Sequence, residues 1–351
     1  MQVGISVIEE FVAMDIKFIA AVSPAIFLQL SKSAKEKSIV IAKTPSGIIN
    51  YASRKQLRKI VCEYKIDAVF TIFGPSYWNP KVKNHTVGFA LPWLIYDVKD
   101  VFNTLNFIQK IKKILLKYLQ PYYFKLNAKK IIVETDDAKE HLLKKISFES
   151  ENVFVVPNTV NSHFTQKLYV DENIRARLPA KAKDEIWLLT ISHNYPHKNL
   201  KVIYELLDIL PERFKFILTL DDSFLEPISN KQRSRLILLG KVDIRECPTL
   251  YHFSDALFLP TLLECFSASL VEAGAMKKPI FTSRRSFNET ICRDGAFYFD
   301  PLSANNIAET IINAFNEPDE IKNKCIRMFE IQDEIPNANE RARKYLEIIS
   351  K

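Results

Sequence analysis

Short apolar segments alternate with longer segments of helical periodicity along most of the chain. Near-continuous apolar strands that alternate with amphipathic helices are typical of parallel sheets covered by helices on both faces. Two successive runs of this kind predict an α/β fold with two doubly wound domains. The predicted strands are 17–22, 38–42, 68–73, 86–91, 130–134 and 153–156, then 186–192, 214–220, 236–239, 256–259, 279–283 and 296–299. The predicted helices are 24–34, 54–64, 101–126, 138–146, 200–210, 267–276, 304–316 and 338–349.

The boundary between the two predicted domains falls in the stretch VPNTVNSHF, residues 156–164. A predicted strand ends there at Pro157 and Asn158, and a charged segment follows over 171–185, as in a linker with its flanking turns. We therefore predict a first domain over 1–163, a second over 164–335, and a C-terminal segment 336–351 whose helix could pack back on the first domain.

The first residues of the chain, MQVGISVIEEFVAM, have a helical pattern, with Val3, Val7 and Phe11 spaced four apart. A doubly wound domain normally opens with a strand and a tight turn before its first helix. The pattern therefore predicts that the first strand of the N-terminal domain is missing. A late gene start, a natural truncation and an unusual opening of the fold all agree with this pattern.

Composition narrows the class of protein but not its function. The hydrophobic share is 47% and the charged share 26%, as in a globular protein. The formal net charge of +8 suits nucleic acid, anionic lipid or a phosphorylated small molecule, but no recognisable nucleic-acid module is present, so nucleic acid is not expected as a partner. The 5 cysteines show no metal-site or redox spacing. With no secretory signal and no apolar run long enough to span a bilayer, we expect a cytoplasmic protein.

The segment ECFSASLVEAGAMKKPI, residues 264–280, places one carboxylate before a predicted helix and another inside it. Ligands of open α/β sheets bind at the carboxyl ends of the strands, and Ser267 is a good N-cap for a helix whose first amides attract anions. Glu264 would then accept hydrogen bonds from sugar hydroxyls beside a bound anion. Glu272 would be partly buried and satisfied by ribose hydroxyls. The spacing alone favours a simpler alternative, in which Glu264 is an ordinary loop carboxylate and Glu272 is a solvated helix residue.

The longer stretch DALFLPTLLECFSASLVEAGAMKKPI resembles the donor-site signature of glycosyltransferase family 4, in which a strand ends in a turn and is followed by Glu, an aromatic residue, a small residue and a second Glu. The matching residues are Pro260, Glu264, Phe266, Ser267 and Glu272. Three further segments resemble the family in the same order and bring the resemblance to most of 130–315: VVPNTVNSHF, ILLGKVDIRECPTLYHFSDALFLP and RSFNETICRDGAFYFDPLSANNIAETI.

The segment LLTISHNYPHKNL, residues 188–200, is similar to the family's strand followed by an arginine and, five residues later, a lysine. Lys198 matches the lysine, which in this resemblance faces the pyrophosphate of the donor. His193 stands in the arginine position, and an imidazole supplies a cation only when it is protonated.

The resemblance implies the GT-B fold, in which two Rossmann-like domains face each other across a cleft. It further implies a retaining glycosyltransferase of hexosyltransferase type that moves a sugar from a nucleotide sugar to a glycan or lipid-linked acceptor in cell-surface polysaccharide biosynthesis, with no metal and no cofactor. Its catalytic residues would be Glu264 and Lys198. Donor-binding residues would be His193, Phe266, Ser267, Ala268, Ser269 and Glu272.

Two aromatic residues of the first domain, Tyr77 and Trp93, are candidates for the acceptor side, with core packing as the alternative. His85 precedes a predicted strand, so the family's donor-facing histidine is not assigned to it. Two other classes of protein stay open: a nucleotide-sugar epimerase, and an inactive GT-B-like protein that binds a nucleotide sugar or acts as a scaffold.

The stretch KIKKILLKYLQPYYFKL, residues 110–126, combines lysines with apolar and aromatic residues at helical spacing. One interpretation is a helix that buries its apolar face and exposes lysines. The other is a helix that lies on an anionic membrane surface, which would make the protein peripheral on the inner face of the membrane.

Overall fold

The computed structural model describes residues 2–46, 50–225 and 228–351. It is an α/β structure with parallel sheets, as predicted, and it forms two compact units. Unit 1 consists of Met1–Tyr96, Asn106–Thr159 and Pro336–Lys351, and unit 2 of Asp97–Leu105 and Val160–Ile335.

Residues 2–159 contain the strands β1 (Ala20–Val22), β2 (Ser38–Val40), β3 (Ala68–Thr71), β4 (Asn84–Gly88), β5 (Lys130–Val133) and β6 (Val153–Val155). The helices of the same residues are α1 (Gln2–Ala13), α2 (Pro24–Gln29), α3 (Lys32–Glu36), α4 (Tyr51–Glu63), α5 (Pro92–Ile95), α6 (Lys99–Asn103), α7 (Phe107–Asn127) and α8 (Asp136–Lys145).

Residues 160–351 contain the strands β7 (Ile186–Thr190), β8 (Phe214–Leu218), β9 (Leu236–Leu238), β10 (Ala256–Leu259), β11 (Ile280–Ser283) and β12 (Phe297–Phe299). Their helices are α9 (Glu172–Arg177), α10 (Val202–Ile209), α11 (Asn230–Arg233), α12 (Cys247–Phe253), α13 (Ala268–Ala275), α14 (Ser286–Cys292), α15 (Ala304–Asn316), α16 (Pro318–Asp333) and α17 (Ala338–Ser350).

The parallel strands of unit 1 form two separate sheets, β1–β2 and β3–β4–β5–β6. Helix α1 contacts the core beside both sheets: Val7 and Phe11 pack near Ile132, and Ile8 packs near Val22. Strand β3 is apolar but half-exposed at every residue.

Two predicted helices of the first half are each divided in the structure, and local capping explains both breaks. The prediction of one helix over 24–34 is wrong because Leu30 is extended and the Ser31 side chain accepts from the Ala34 amide to begin α3. The prediction over 101–126 is wrong because Asn106 and Gln109 form a capping box that begins α7 separately from α6.

Two segments belong to a unit formed mainly by distant parts of the chain. Helix α17 belongs to unit 1, and residues 97–105 belong to unit 2. Arg341 of α17 donates to the Ser6 hydroxyl at 2.8 Å, and Tyr345 packs in the core beside α1, so α17 completes unit 1. Residues 97–105, assigned from the sequence to the first domain, belong to unit 2. There Asp100 forms an ion pair with Arg285 at 2.6 Å.

Unit 2 contains one parallel sheet of strand order β12-β11-β10-β7-β8-β9. Successive residues of β7 enter opposite cores, since Leu188 packs beside α10 and α15 while Leu189 packs beside α12 and α13. Because both faces are covered, the strands are mostly apolar, and β11 is the exception with Thr282 and Ser283. The alternation seen in the sequence thus has a direct structural cause.

Candidate functional site

A cavity of about 650 Å³ lies at the carboxyl ends of strands in unit 2. From β7 the chain extends the sheet through β8 and β9, then returns to place β10 on the other side of β7. Ligands of open α/β sheets bind where the strand order reverses in this way. The loops that line the cavity follow β7, β8, β9 and β10. Its lining residues include His193, Tyr195, His197, Lys198, Thr219, Asp221, Lys241, Glu264, Phe266, Ser267, Ala268 and Ser269.

Lys198 ends a helical turn, Pro196–Lys198, that is fixed to the loop after β10. The His197 carbonyl accepts from the Leu262 amide at 2.7 Å and from the Thr261 hydroxyl at 3.2 Å. Next in the chain, Asn199 adopts the left-handed conformation (φ 54°). These contacts hold the two loops together along the edge of the cavity.

The result of this arrangement is an ion pair between the Lys198 ammonium and the Glu264 carboxylate. Both side chains are mostly shielded from solvent, and both line the cavity. The structure therefore brings together the two residues that the sequence analysis assigned to catalysis, and it places the positive charge of one against the negative charge of the other.

Lys241 and Tyr195 also line the cavity, and neither was predicted from the sequence as a site residue. Lys241 follows Gly240, whose φ of 62° turns the chain sharply just after β9. A glycine at the end of an apolar strand was the available signal for this loop. Tyr195 stacks on the His197 ring at 5.6 Å, and His193, also in the cavity lining and solvent-exposed, lies 5.7 Å from the Tyr195 ring.

The amino end of α13 contributes Ser267, Ala268 and Ser269 to the cavity lining. The expectation that the Ser267 side chain caps this helix is wrong: Ser267 occupies the N-cap position, but its hydroxyl accepts no hydrogen bond from the first amides. Those amides have no acceptor within the helix. They and the helix dipole are suited to an anion.

Glu272 lies behind the cavity rather than in its lining. Its carboxyl is almost fully buried and accepts a hydrogen bond from the Tyr251 hydroxyl at 3.2 Å. Burial raises the pKa of Glu272 to about 7, against the opposing effect of the Tyr251 hydrogen bond. A protein group therefore occupies at least part of the hydrogen-bonding capacity that we expected ribose to use.

Tyr77 and Trp93, the acceptor-side candidates, are half-buried in unit 1 and contact α7. Tyr77 packs on Tyr123 with ring centroids 4.9 Å apart, and the Lys113 ammonium lies 4.0 Å from the centre of the Trp93 ring. His85 is buried, and burial lowers its pKa to about 4. Its two ring nitrogens contact the Thr71 hydroxyl and the Asn127 carbonyl, so both are used in contacts within unit 1.

Within residues 2–46, 50–225 and 228–351, no three histidine, cysteine, aspartate or glutamate side chains converge closely enough to hold a metal ion. Over the same described residues, no helix combines the length and the apolar character that crossing a bilayer requires.

Residues 170–328 match the sequence model of a family described as glycosyl transferases group 1. The curated protein "O-antigen chain mannosyltransferase RfbU" of Salmonella typhimurium is 22% identical to this chain over 249 residues. The aligned residues are 69% of this chain and 64% of that relative, which is less than two thirds of its length.

Two solved structures are similar over nearly the whole chain. A glycosyltransferase from Rickettsia africae superposes with a TM-score of 0.74 at 18% identity, covering 99% of this chain and 93% of that one. Anabaena HepE in complex with UDP-glucose gives a TM-score of 0.73 at 12% identity, covering 98% of this chain and 95% of that one. The chain therefore has the GT-B fold of these glycosyltransferases, and its residues 170–328 match the glycosyl transferases group 1 model.

Proposed function

We propose that the protein is a retaining glycosyltransferase of cell-surface polysaccharide biosynthesis. It moves a hexosyl group from a nucleotide-sugar donor to a glycan or lipid-linked acceptor, in the cytoplasm. The match of residues 170–328 to glycosyl transferases group 1 supports a transferase. The relative named as an O-antigen chain mannosyltransferase supports a polysaccharide pathway, and the HepE complex with UDP-glucose supports a nucleotide-sugar donor.

The observation that carries the proposal is the position of the Lys198–Glu264 pair beside the amino end of α13. A nucleotide sugar has an anionic diphosphate between two neutral sugars, the ribose on one side and the sugar to be transferred on the other. Its phosphates suit the cations Lys198 and Lys241 and the hydrogen-bond donors at the first amides of α13. Glu264 is the nearby acceptor suited to sugar hydroxyls. His193 adds a third cation when its ring is protonated.

In the proposed reaction, the bond between the anomeric carbon and the phosphate oxygen breaks while the acceptor hydroxyl attacks from the same face of the sugar. The acceptor proton passes to the departing phosphate. Lys198 and the α13 amides stabilise the negative charge that develops on the diphosphate. Glu264 holds the sugar and forms no bond to it. Protein cations do the work that a metal ion does elsewhere, so we propose no metal and no cofactor.

The test is a panel of nucleotide sugars incubated with the full chain, with and without candidate glycan and lipid-linked acceptors. Release of nucleoside diphosphate measures turnover, and NMR of the product reports whether the anomeric configuration is retained. Turnover that is unchanged in EDTA agrees with the proposal. Inversion of configuration would overturn the retaining mechanism.

Calorimetry with UDP and GDP separates the enzyme from the inactive alternative. Binding at the cavity combined with no turnover for any donor and acceptor pair would favour a nucleotide-sugar-binding or scaffold protein. Binding that survives the change Lys198→Ala without loss of affinity would contradict the proposed site itself.

A further inference from the structure

Helix α7 presents its apolar side to solvent, which is the reverse of an ordinary surface helix. Phe107 is 77% exposed, Tyr118 74% and Leu115 57%. The exposed apolar residues recur at intervals of three or four, so they form one continuous stripe along the helix. We call this stripe the α7 face; it consists of Phe107, Ile108, Ile111, Ile114, Leu115, Tyr118, Leu119, Tyr122 and Leu126.

The opposite side of α7 is anchored in unit 1 by specific contacts. Phe124 is fully buried and packs on Phe89 with ring centroids 5.3 Å apart. The Asn127 carbonyl contacts a ring nitrogen of His85 at 2.6 Å, and the Asn127 side chain donates to the Ser76 carbonyl. These contacts determine the rotation of the helix about its axis. The apolar stripe therefore cannot turn inward without breaking them.

Helix α15 of unit 2 shows the usual arrangement for comparison. Its apolar residues Ile307 and Ile311 are fully buried in the core, and its polar residues face solvent. The hydrophobic pattern of each helix defines an apolar side, but only α15 buries it. The interpretation of 110–126 as a helix with a buried apolar face and a lysine-coated exterior is therefore wrong.

The charge of α7 indicates what covers the stripe. Residues 107–127 contain five lysines and no aspartate or glutamate. Lys112, Lys117 and Lys125 are exposed. On a helical wheel Lys112 and Lys117 lie on the two flanks of the α7 face. An apolar stripe with lysines along both flanks fits a lipid surface, where apolar side chains enter the acyl boundary and ammonium groups meet phosphates.

A second copy of the chain fits this surface less well, because two α7 faces placed together would bring lysines against lysines with no acid on either helix. We propose that α7 docks this protein on an anionic membrane surface, with its axis in the plane of the interface. At 21 residues, α7 presents about 30 Å of helix for this contact. The proposal is independent of sugar transfer, because it rests on the α7 face alone.

The experiment is sedimentation of the full chain with vesicles of phosphatidylcholine alone or with added phosphatidylglycerol. We expect binding to the anionic vesicles that falls as salt is raised, and much weaker binding to the neutral ones. The double change Leu115→Glu and Tyr118→Glu should abolish it. Both side chains point to solvent, so the fold should survive, which thermal unfolding would verify.

The matched control is the double change Leu302→Glu and Ile326→Glu in unit 2. It removes two other exposed apolar side chains with the same change in charge, and we expect it to leave the anionic binding much closer to that of the unchanged chain. Reversing Lys112 and Lys117 to glutamate should lower anionic binding by about tenfold or more, whereas the same reversal of Lys183 and Lys322 should lower it far less.

Three results would overturn the proposal. Equal binding to neutral and anionic vesicles would remove the role of the lysines. Equal loss in the α7 variant and its unit 2 control would show that net charge alone drives binding. No vesicle binding, together with a dimer in analytical ultracentrifugation that Leu115→Glu and Tyr118→Glu dissociate, would assign the α7 face to a second copy.

Discussion

The two edges of the unit 2 sheet carry similar ion pairs in different surroundings. At the carboxyl edge, Lys198 and Glu264 are 17% and 12% exposed. At the amino edge, Lys215 and Glu185 are 22% and 13% exposed and lie 2.5 Å apart. Glu185 also accepts from the Trp187 indole at 2.9 Å. The carboxyl-edge pair instead borders a cavity with the amides of α13 nearby.

This difference teaches that an ion pair does not itself mark a functional site. In the amino-edge pair, the Glu185 carboxylate is committed to two structural donors, the Lys215 ammonium and the Trp187 indole. Burial acts to raise the pKa of Glu185, but the hydrogen bonds from Lys215 and Trp187 outweigh it and the pKa is lowered. The carboxyl-edge pair is open on one side, so a ligand can contact both charges.

The largest expected contrast comes from removing each lysine. Lys198→Ala should lower kcat by roughly 10²- to 10³-fold, because the charge that meets the leaving diphosphate is lost. Its effect on stability should be small because Glu264 then faces the cavity and its solvent. Lys215→Ala should do the opposite, leaving kcat near its original value while lowering the free energy of unfolding by about 1–3 kcal/mol.

Steady-state kinetics and urea unfolding of both variants measure this contrast. If the two changes reduced kcat equally, the distinction between the edges would be lost.

The next contrast concerns the sign of a binding change. Glu264→Gln removes the negative charge that is paired with Lys198, so the lysine no longer has to leave an ion pair to bind a phosphate. Because a partly exposed pair is worth about 1 kcal/mol, UDP or GDP should bind about fivefold more tightly. Turnover should nevertheless fall, because the carboxylate that holds the sugar is gone. Calorimetry and kinetics on one preparation test both parts, with Glu185→Gln as the matched control. Weaker nucleotide binding in Glu264→Gln would argue that the carboxylate organises the phosphate site instead.

A third contrast lies in the pH dependence of stability. The pKa of Glu272 rises from an ordinary 4.5 to about 7 in the folded state. Between those values the folded chain holds a proton that the unfolded chain has released, so the free energy of unfolding falls as pH rises through this window. Glu272→Gln should remove this decline and leave the protein about 3 kcal/mol more stable at pH 8 relative to the unchanged chain.

Glu185 provides the opposite sign. Because its pKa is lowered by folding, its contribution is present at neutral pH and is lost as pH falls through the folded-state value. Urea unfolding from pH 3 to 8 therefore distinguishes the two glutamates, because the Glu185 contribution is lost below pH 4.5 and the Glu272 effect lies between pH 4.5 and 7. An unchanged slope between pH 5 and 7 in Glu272→Gln would contradict the assignment.

The smallest contrast concerns two exposed lysines. Lys241→Ala, in the cavity lining, should weaken binding of UDP or GDP about threefold, with the loss disappearing at high salt. Lys183→Ala, in the segment that precedes β7 at the amino edge, should leave the affinity unchanged. Calorimetry at two salt concentrations measures both, and equal losses would indicate a general effect of net charge.

Most strands and helices of unit 2 could be predicted from the sequence, because each depends on the hydrophobic pattern of its own short segment and that pattern repeats. Leu188 and Leu189 enter opposite cores, so successive residues of the strand are apolar, and this run is visible in the sequence. The loop after β10 could be located for the same reason, because an apolar strand that stops abruptly marks the carboxyl edge of the sheet. That edge is where Glu264 and the start of α13 lie.

Other features depend on contacts between distant residues or on side-chain rotation, which no pattern records. Lys241 enters the cavity lining only through the order of the strands. Ser267 has the right residue type for a cap, but its hydroxyl accepts no hydrogen bond from the first amides of α13. The α7 face points to solvent because Phe124 and Asn127 anchor the opposite side of the helix. The periodicity could therefore identify the apolar stripe but not whether it faces the core or solvent.

Helix α17 gives unit 1 an unusual dependence on the last residues of the chain. The apolar side chains Val7, Phe11 and Ile132 are buried partly by Ala342 and Tyr345. During synthesis on the ribosome, the whole of unit 2 emerges before those partners exist. Unit 2 can thus mature first, while the earlier-made half waits with uncovered apolar surface. The position of α17 after unit 2 in the sequence therefore favours folding of unit 2 before unit 1 is completed.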